Sequence, residues 1–218
     1  MFKLQKKNGS EQQLIVLNAS DLLGAGGDLD SSADSHSHGG ASVSVQHNHI
    51  YLYDQISQQS MVELAMAIRQ AEIDCIKQHT LYGGDAPQPI HLHINSFGGD
   101  AYAGLAGLGH IKACKVPVYT YVEGSVASAA TFLSMAGHRR YMTKHSFMLI
   151  HQISTWFSGT YENLKDEKES IDALMEMLLN FYKDNSKMKK RDLTNLLKRD
   201  LWLTPDQCLA WGLIDGVK

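Results

Sequence analysis

Apolar and polar residues alternate along this chain in blocks that predict strands and helices in turn. Short runs of β-branched and aromatic residues predict strands at 49–53, 90–94 and 116–122, and further strands between 140 and 150. Helical stretches follow the first two of these strands, with Ser57 or Ser60 as one candidate N-cap and Asp100 as the other. Because strand and helix patterns alternate repeatedly, we expect an α/β fold with mostly parallel strands.

The longest helical pattern runs from about 161 to 185. Its apolar positions recur at helical spacing, and they are Leu164, Ile171, Leu174, Leu178 and Phe181. A helix of this length extends about 38 Å, so one domain of this size cannot cover its whole apolar face. We therefore expect a partner for it. Further along, Thr204 before Pro205 predicts the start of a short helix.

The N-terminal part has a different texture. Residues 19–46 are dominated by Gly, Ser, Ala, Asp and His, a composition typical of a mobile loop, and a short strand is predicted before it at 13–17. We expect two regions, an N-terminal strand and loop over 1–48 and a folded domain over 49–218.

Composition narrows the function classes. The 218 residues are 44% hydrophobic and 20% charged, as in soluble globular proteins, and the net charge of -3 gives no basic field for nucleic acid. No signal-type apolar segment and no membrane-length apolar run occur, so we expect a cytoplasmic protein without membrane contact. The three cysteines are widely spaced, which favours buried, reduced thiols.

The sequence contains a candidate for each part of a serine-hydrolase site. Ser128 lies in the small-residue run GSVASAA at a predicted strand-to-helix turn, His151 ends an apolar strand, and Asp200 precedes the run LWLTP. Gly98 and Gly99 follow a strand, where the missing side chains let backbone N–H groups approach a substrate. Taken singly, each of these residues is more typical of close packing, a surface histidine or a turn.

Six motifs together carry a resemblance. They are INSFGGD from Ile94, GSVASAA from Gly124, AGHRR from Ala136, MLIHQ from Met148, RDLWLTP from Arg199 and WGLID from Trp211. In this order and spacing the chain resembles the proteolytic subunit of the ATP-dependent Clp protease, the ClpP family of the ClpP/crotonase superfamily. The resemblance covers most of residues 49–218.

The resemblance implies a role for each candidate residue. Ser128 would be the nucleophile, His151 the general base and then acid, and Asp200 the residue that orients the imidazole, while the backbone N–H groups of Gly99 and Ala129 would bind the oxyanion. It also implies a superhelix of repeated ββα units, with the helix at 161–185 projecting as a handle.

The same resemblance implies an assembly and a mode of action. Seven subunits would form a ring, stacked in pairs, that hydrolyses unfolded proteins delivered by a separate AAA+ unfoldase. We expect no cofactor, because the sequence has no GxxxxGK[ST] motif and any ATP would be used by the other chain.

Three departures indicate a divergent member of the family. Phe97 stands where the family usually has proline, Ala129 and Ala130 replace a more usual Met-Gly pair, and the segment after Gln152 lacks the family's proline and paired glycines. One hypothesis for this divergence is a bacteriophage origin.

Three alternatives stay open. The HxH pairs, which are His36 with His38, His47 with His49 and His91 with His93, could chelate zinc, although solvated or cross-strand histidines are more common and no acidic or cysteine partner is suitably spaced. A crotonase-type acyl-CoA enzyme would share the backbone oxyanion hole. A catalytically silent ring or scaffold subunit would share the fold alone.

Overall fold

The computed structural model describes residues 42–218, and these form one α/β unit. The strands are β1 (Val43–Gln46), β2 (His49–Leu52), β3 (Ile90–Ser96), β4 (Val118–Ala127), β5 (Arg139–Met142), β6 (Phe147–Leu149), β7 (Trp202–Leu203) and β8 (Gly216–Val217). The helices are α1 (Gln58–Tyr82), α2 (Ala101–Ala113), α3 (Ala130–Ala136), α4 (Tyr161–Asp184), α5 (Lys190–Leu197) and α6 (Pro205–Ala210).

All eight strands belong to one sheet, which is mostly parallel. The order is β1-β2-β3-β4-β5-β8, with β6 beside β4 and β7 beside β6. Among the strand pairs of residues 42–218, only β1–β2 and β6–β7 are antiparallel. The α/β prediction is therefore confirmed.

Strand β4 is the element that positions the candidate nucleophile. Its first half pairs with β5, from Tyr119 to Val122, and its second half pairs with β6, from Ser125 to Ala127. Its pairing with β3 shifts register between the two halves. Because β4 has a separate partner in each half, the strand extends to Ala127. Ser128 is the next residue, so its position is set by the end of this strand.

The hydrophobic core lies between the sheet and the helices. Along β3, Ile90, Leu92 and Ile94 are fully buried while the alternating His91 and His93 are half-buried, as expected for a strand with one covered face. Every residue of α3 is buried. Helix α3 therefore forms part of the core, and the residues just before it have little freedom to move.

Several predicted features of the elements are confirmed. Ser57 and Asp100 are the N-caps of α1 and α2, Thr204 forms a capping box with Gln207, and α4 matches its predicted range closely. All three cysteines are buried and free.

Three predicted boundaries are wrong. Helix α1 runs to Tyr82 instead of Lys77, and β4 runs to Ala127 instead of Val122. Residues Val43–Gln46, predicted to end the loop, form β1, because they find an antiparallel partner in β2. The predicted strand at 13–17 and the loop up to residue 41 lie outside the described residues, so the division at 48 stays a prediction.

None of the helices in residues 42–218 is long and apolar enough to cross a membrane.

Candidate active site

Ser128 occupies a constrained turn between β4 and α3. Its φ is 53°, in the left-handed region that residues other than glycine rarely adopt. Its N–H donates to the carbonyl of Leu149 at 3.0 Å, and its own carbonyl accepts from the hydroxyl of Thr131 at 2.6 Å. The backbone of Ser128 is therefore fixed on both sides. A strained backbone that its surroundings hold in place is a feature that clusters at functional sites.

Gly98 packs against this turn, and Gly99 packs against the backbone of Ile56, so closely that neither position has room for a side chain. A Cβ on Gly98, whose φ is +95°, would lie 2.7 Å from both the Ala127 carbonyl oxygen and the Ser128 Cβ. A Cβ on Gly99, whose φ is +147°, would lie 2.2 Å from the carbonyl oxygen of Ile56. Both positions therefore require glycine, for conformation and for space.

Two backbone N–H groups beside Ser128 are available to a substrate. Hydrogen bonds from the Ile56 N–H to the Gly98 carbonyl and from the Asp100 N–H to the Ile56 carbonyl hold the loop on either side of Gly99. Within residues 42–218, the N–H groups of Gly99 and Ala129 donate to no protein acceptor. Free donors next to a hydroxyl are what an oxyanion hole requires.

His151 lies two residues beyond β6, and its ring is mostly covered. The Nδ1 atom of His151 is 3.9 Å from Oδ1 of Asp200, which is too far for a hydrogen bond and would be an ion pair only with a protonated ring. Burial lowers the pKa of His151 below its ordinary value, and the Asp200 carboxylate acts in the opposite direction. The imidazole therefore favours its neutral form, which is the form that can accept a proton.

A cavity of about 270 Å³ brings most of the predicted site together. Ser128, Ala129, Gly99 and His151 all line it, whereas Asp200 does not and is largely exposed. Within the described residues, no hydrogen bond joins the Ser128 hydroxyl to His151. The nucleophile, base and oxyanion donors thus share one cavity, and the carboxylate lies behind the base.

Comparison with known proteins now identifies the family. The sequence model of the family described as Clp protease matches residues 44–218. The chain belongs to the Clp protease family. That match runs through every strand and helix described above, apart from the first residue of β1.

Individual relatives agree with this assignment. The chain is 33% identical over 132 residues to the ATP-dependent Clp protease proteolytic subunit of Deinococcus radiodurans, a match that covers 60% of this chain and 65% of that protein. It is 34% identical over 134 residues to proteolytic subunit 1 of Chlamydia caviae, covering 60% of this chain and 70% of that protein. The match thus spans just under two thirds of the Deinococcus subunit.

A solved structure confirms the ClpP-like fold. A point mutant of ClpP1 from Listeria monocytogenes superimposes with a TM-score of 0.67 at 20% identity, over 79% of this chain and 91% of that one. At this identity the likeness concerns the fold alone.

One departure from the Clp family pattern has a visible structural role. Phe97, where the family usually has proline, places its ring against Trp202 in an edge-to-face arrangement with centroids 6.1 Å apart. This contact connects the loop before the glycine pair to the segment that follows Asp200.

Three of the HxH histidines, His49, His91 and His93, lie on the half-buried face of the sheet and bond to protein groups, whereas His47 is exposed in the turn between β1 and β2. His49 Nδ1 lies 2.9 Å from His93 Nε2, His93 Nδ1 lies 2.8 Å from a Glu123 carboxylate oxygen, and His91 Nδ1 lies 2.8 Å from the Tyr121 hydroxyl. No group of three or more His, Cys, Asp or Glu side chains in the described part of the chain could hold a metal. His36 and His38 lie outside that part.

Sequence reasoning missed several residues of the cavity, among them Tyr182 and Glu167. Tyr182 is fully buried, and its hydroxyl lies 2.6 Å from the Thr131 hydroxyl that bonds the Ser128 carbonyl. Glu167 lines the cavity from α4. The sequence does contain a signal for Glu167, because this residue extends the apolar spacing of Ile171, Leu174 and Leu178 by one turn.

Proposed function

We propose that the protein is a ClpP-like serine endopeptidase with Ser128 as nucleophile. The observation that carries this proposal is the placement of Ser128 on a constrained turn, in one cavity with His151 and with the free N–H groups of Gly99 and Ala129. The lowered pKa of His151 favours the neutral imidazole that can accept the serine proton. Membership of the Clp protease family supports the same reaction class.

Each group has a defined part in the proposed reaction. His151 takes the proton of the Ser128 hydroxyl while the oxygen attacks the peptide carbonyl carbon. The N–H groups of Gly99 and Ala129 stabilise the oxyanion that forms, and His151 then gives its proton to the departing amine. Water hydrolyses the resulting acyl-enzyme by the same steps, which restores the free hydroxyl.

Asp200 holds the imidazole in this scheme. Its carboxylate must approach His151 Nδ1 from the present 3.9 Å to form a hydrogen bond. Catalytic hydrogen bonds are often long in structures without substrate and tighten when it binds. Because Asp200 is largely exposed, the side chain has room for that movement.

The proposal includes assembly into a ring of seven subunits, stacked in pairs and fed by a separate AAA+ unfoldase in the cytoplasm. Apolar side chains that this chain leaves exposed support self-association, among them Val62 and Met66 on α1 and Leu164 and Met177 on α4. ATP would be consumed by the unfoldase, and the peptidase site would need no cofactor.

The deciding experiment is labelling with a serine-directed fluorophosphonate, followed by peptide mapping. We expect a single adduct on Ser128, lost in Ser128→Ala together with hydrolysis of fluorogenic peptides. Ser125→Ala is the matched control, because Ser125 belongs to the same short run but bonds to Asn95 and does not line the cavity. Labelling at another residue, or full hydrolysis by Ser128→Ala, would assign the chemistry elsewhere.

A second candidate is a catalytically silent ring subunit. The observation that favours it is the 3.9 Å gap between His151 and an exposed Asp200, with no hydrogen bond from the serine to the imidazole among the described residues. The two candidates separate in the same assay. A silent subunit assembles but gives neither adduct nor hydrolysis, even with an unfoldase and substrate present.

A further inference from the structure

Helix α4 presents one continuous face to the candidate active site. Glu167, Ile171, Leu174 and Leu178 all line the cavity, and their spacing of four, three and four places them on one side of the helix. Leu178 is buried, whereas Glu167 is half-buried and lies toward the exposed first half of the helix. The face is therefore apolar at its inner end and acidic at its outer end.

The cavity has an unbalanced charge. Among its lining residues are two carboxylates, Asp100 and Glu167, and neither lysine nor arginine. Asp100 is already engaged as the N-cap of α2, where its side chain accepts from the Ala103 N–H at 3.0 Å. Glu167 has no salt bridge or side-chain hydrogen bond to any group in residues 42–218. Its charge is thus free to meet a cation brought by a ligand.

Neighbouring charges on α4 are arranged differently. Lys165 pairs with Glu162, and Lys168 pairs with Asp172, so both nearby lysines already have acidic partners on the helix surface. Glu167 differs from these residues because it is half-buried and forms part of the cavity lining.

The position of Glu167 relative to Ser128 follows from helix geometry. The hydrogen bonds from Tyr182 through Thr131 to the Ser128 carbonyl put the nucleophile near the Leu178 end of the lining face. Eleven residues separate Leu178 from Glu167, a rise of about 16 Å. A substrate peptide in extended conformation would cover this distance in about five residues. It would need fewer residues if one of its long side chains lay along the cavity.

We propose that Glu167 forms a subsite for a lysine or arginine side chain of the substrate, three to five residues from the bond that is cut. The aliphatic part of that side chain would pack on Ile171 and Leu174 while its cation meets the Glu167 carboxylate. This inference rests on the proposed peptidase function, because it concerns the substrate of that same site.

The first test measures binding and does not need activity. Fluorescein-labelled peptides, identical except for lysine or glutamine at one position, are titrated into assembled Ser128→Ala protein and followed by anisotropy. The variable position is moved through the third to fifth residues on each side of the scissile bond. We expect one position at which lysine binds about two- to fivefold tighter than glutamine, as for other partly exposed ion pairs, with the preference falling as salt rises.

Substitutions at position 167 supply the decisive comparison. Glu167→Gln should abolish the lysine preference, and Glu167→Lys should reverse it in favour of a glutamate-containing peptide. Glu169→Lys is the matched control, because it changes the net charge equally on the same helix but is exposed and outside the cavity lining. A lysine preference that survives Glu167→Gln, or that Glu169→Lys removes as well, would overturn the inference.

The second test repeats the peptide pairs with hydrolysis in the Ser128-containing protein. The same ratio is expected in kcat/KM. Failure of the two proposals is distinguishable: absence of Ser128-dependent hydrolysis rejects the peptidase function, while the binding arm still decides the role of Glu167. Hydrolysis that is indifferent to position 167 rejects the subsite alone. The unfolding midpoint of Glu167→Gln, compared with wild type, checks that the isosteric change leaves the fold intact.

Discussion

The glycine pair before α2 allows a sharp test of how the candidate active site is built. Replacing Gly98 by alanine adds one methyl group next to the nucleophile and changes no group proposed to react. That methyl would lie 2.7 Å from the Ala127 carbonyl oxygen and from the Ser128 Cβ, and 3.1 Å from the Ala129 nitrogen. Gly98→Ala therefore acts directly on the serine turn and on one oxyanion donor.

Two costs combine in this substitution. A φ of +95° is unfavourable for alanine, and backbone strain of this kind costs about 1–3 kcal/mol. Overlap with backbone atoms that cannot move aside costs a further ~1–3 kcal/mol. We expect the free energy of unfolding to fall by about 2–6 kcal/mol, a large part of the stability of an ordinary domain.

Two other glycines separate these costs. A Cβ on Gly83 would meet no heavy atom within 4 Å, but its φ of 74° and ψ of -168° carry the strain, so Gly83→Ala should lose only about 1–3 kcal/mol. A Cβ on Gly109, inside α2, would also meet nothing within 4 Å. Gly109→Ala should gain up to about 1 kcal/mol from helix propensity.

The measurements are urea unfolding of the three variants and hydrolysis of a fluorogenic peptide. Displacing one oxyanion donor should lower kcat by about 10²- to 10³-fold, so Gly98→Ala should lose activity even under conditions where it remains folded. Gly83→Ala and Gly109→Ala should keep wild-type kcat. A Gly98→Ala protein with wild-type stability and activity would refute the proposed packing of the glycine loop against the serine turn.

Two further predictions concern pH. Because burial lowers the pKa of His151, the neutral base should persist below pH 6.5, so the acidic limb of the kcat/KM profile should have its midpoint below that value. Asp200→Asn should move this midpoint lower still, because the Asp200 carboxylate acts against burial. A midpoint near pH 7 would contradict the assignment of His151 as the base. Burial and neighbouring histidines also lower the pKa values of His49 and His91. The unfolded chain therefore binds more protons than the folded protein, so the free energy of unfolding is at its full value above pH 6.5 and falls as the pH drops below it. Urea unfolding midpoints should be lower at pH 5.5 than at pH 7.5, and the difference should be smaller in His91→Phe.

Much of the architecture follows from local pattern. Ser57, Asp100 and Thr204 cap helices as their residue types predict, because a side-chain oxygen near a free N–H is sufficient for a cap. The α4 range follows from apolar spacing. The turn at Ser128 follows from the small-residue run between a strand pattern and a helix pattern.

Other features depend on partners that are distant in the chain. The apolar pattern ends β4 five residues too early, because its last residues pair with β6, whose position relative to β4 is not encoded locally. Strand β1 has the composition of a loop, because four residues of mixed polarity become a strand only beside β2. The role of Glu167 depends on the packing of α4 against the serine turn.

Residue types and their spacing were sufficient to indicate the chemistry: a hydroxyl, an imidazole, a carboxylate and two glycines in a family's order. Folding decided which of these meet. It placed Ser128, His151 and the two N–H donors around one cavity. It left Asp200 exposed, with its carboxylate 3.9 Å from His151 Nδ1, and it added the Glu167 carboxylate from α4 to the cavity lining. The physical reason is that periodicity reports which face of an element is buried, whereas distances between elements depend on the packing of the whole core.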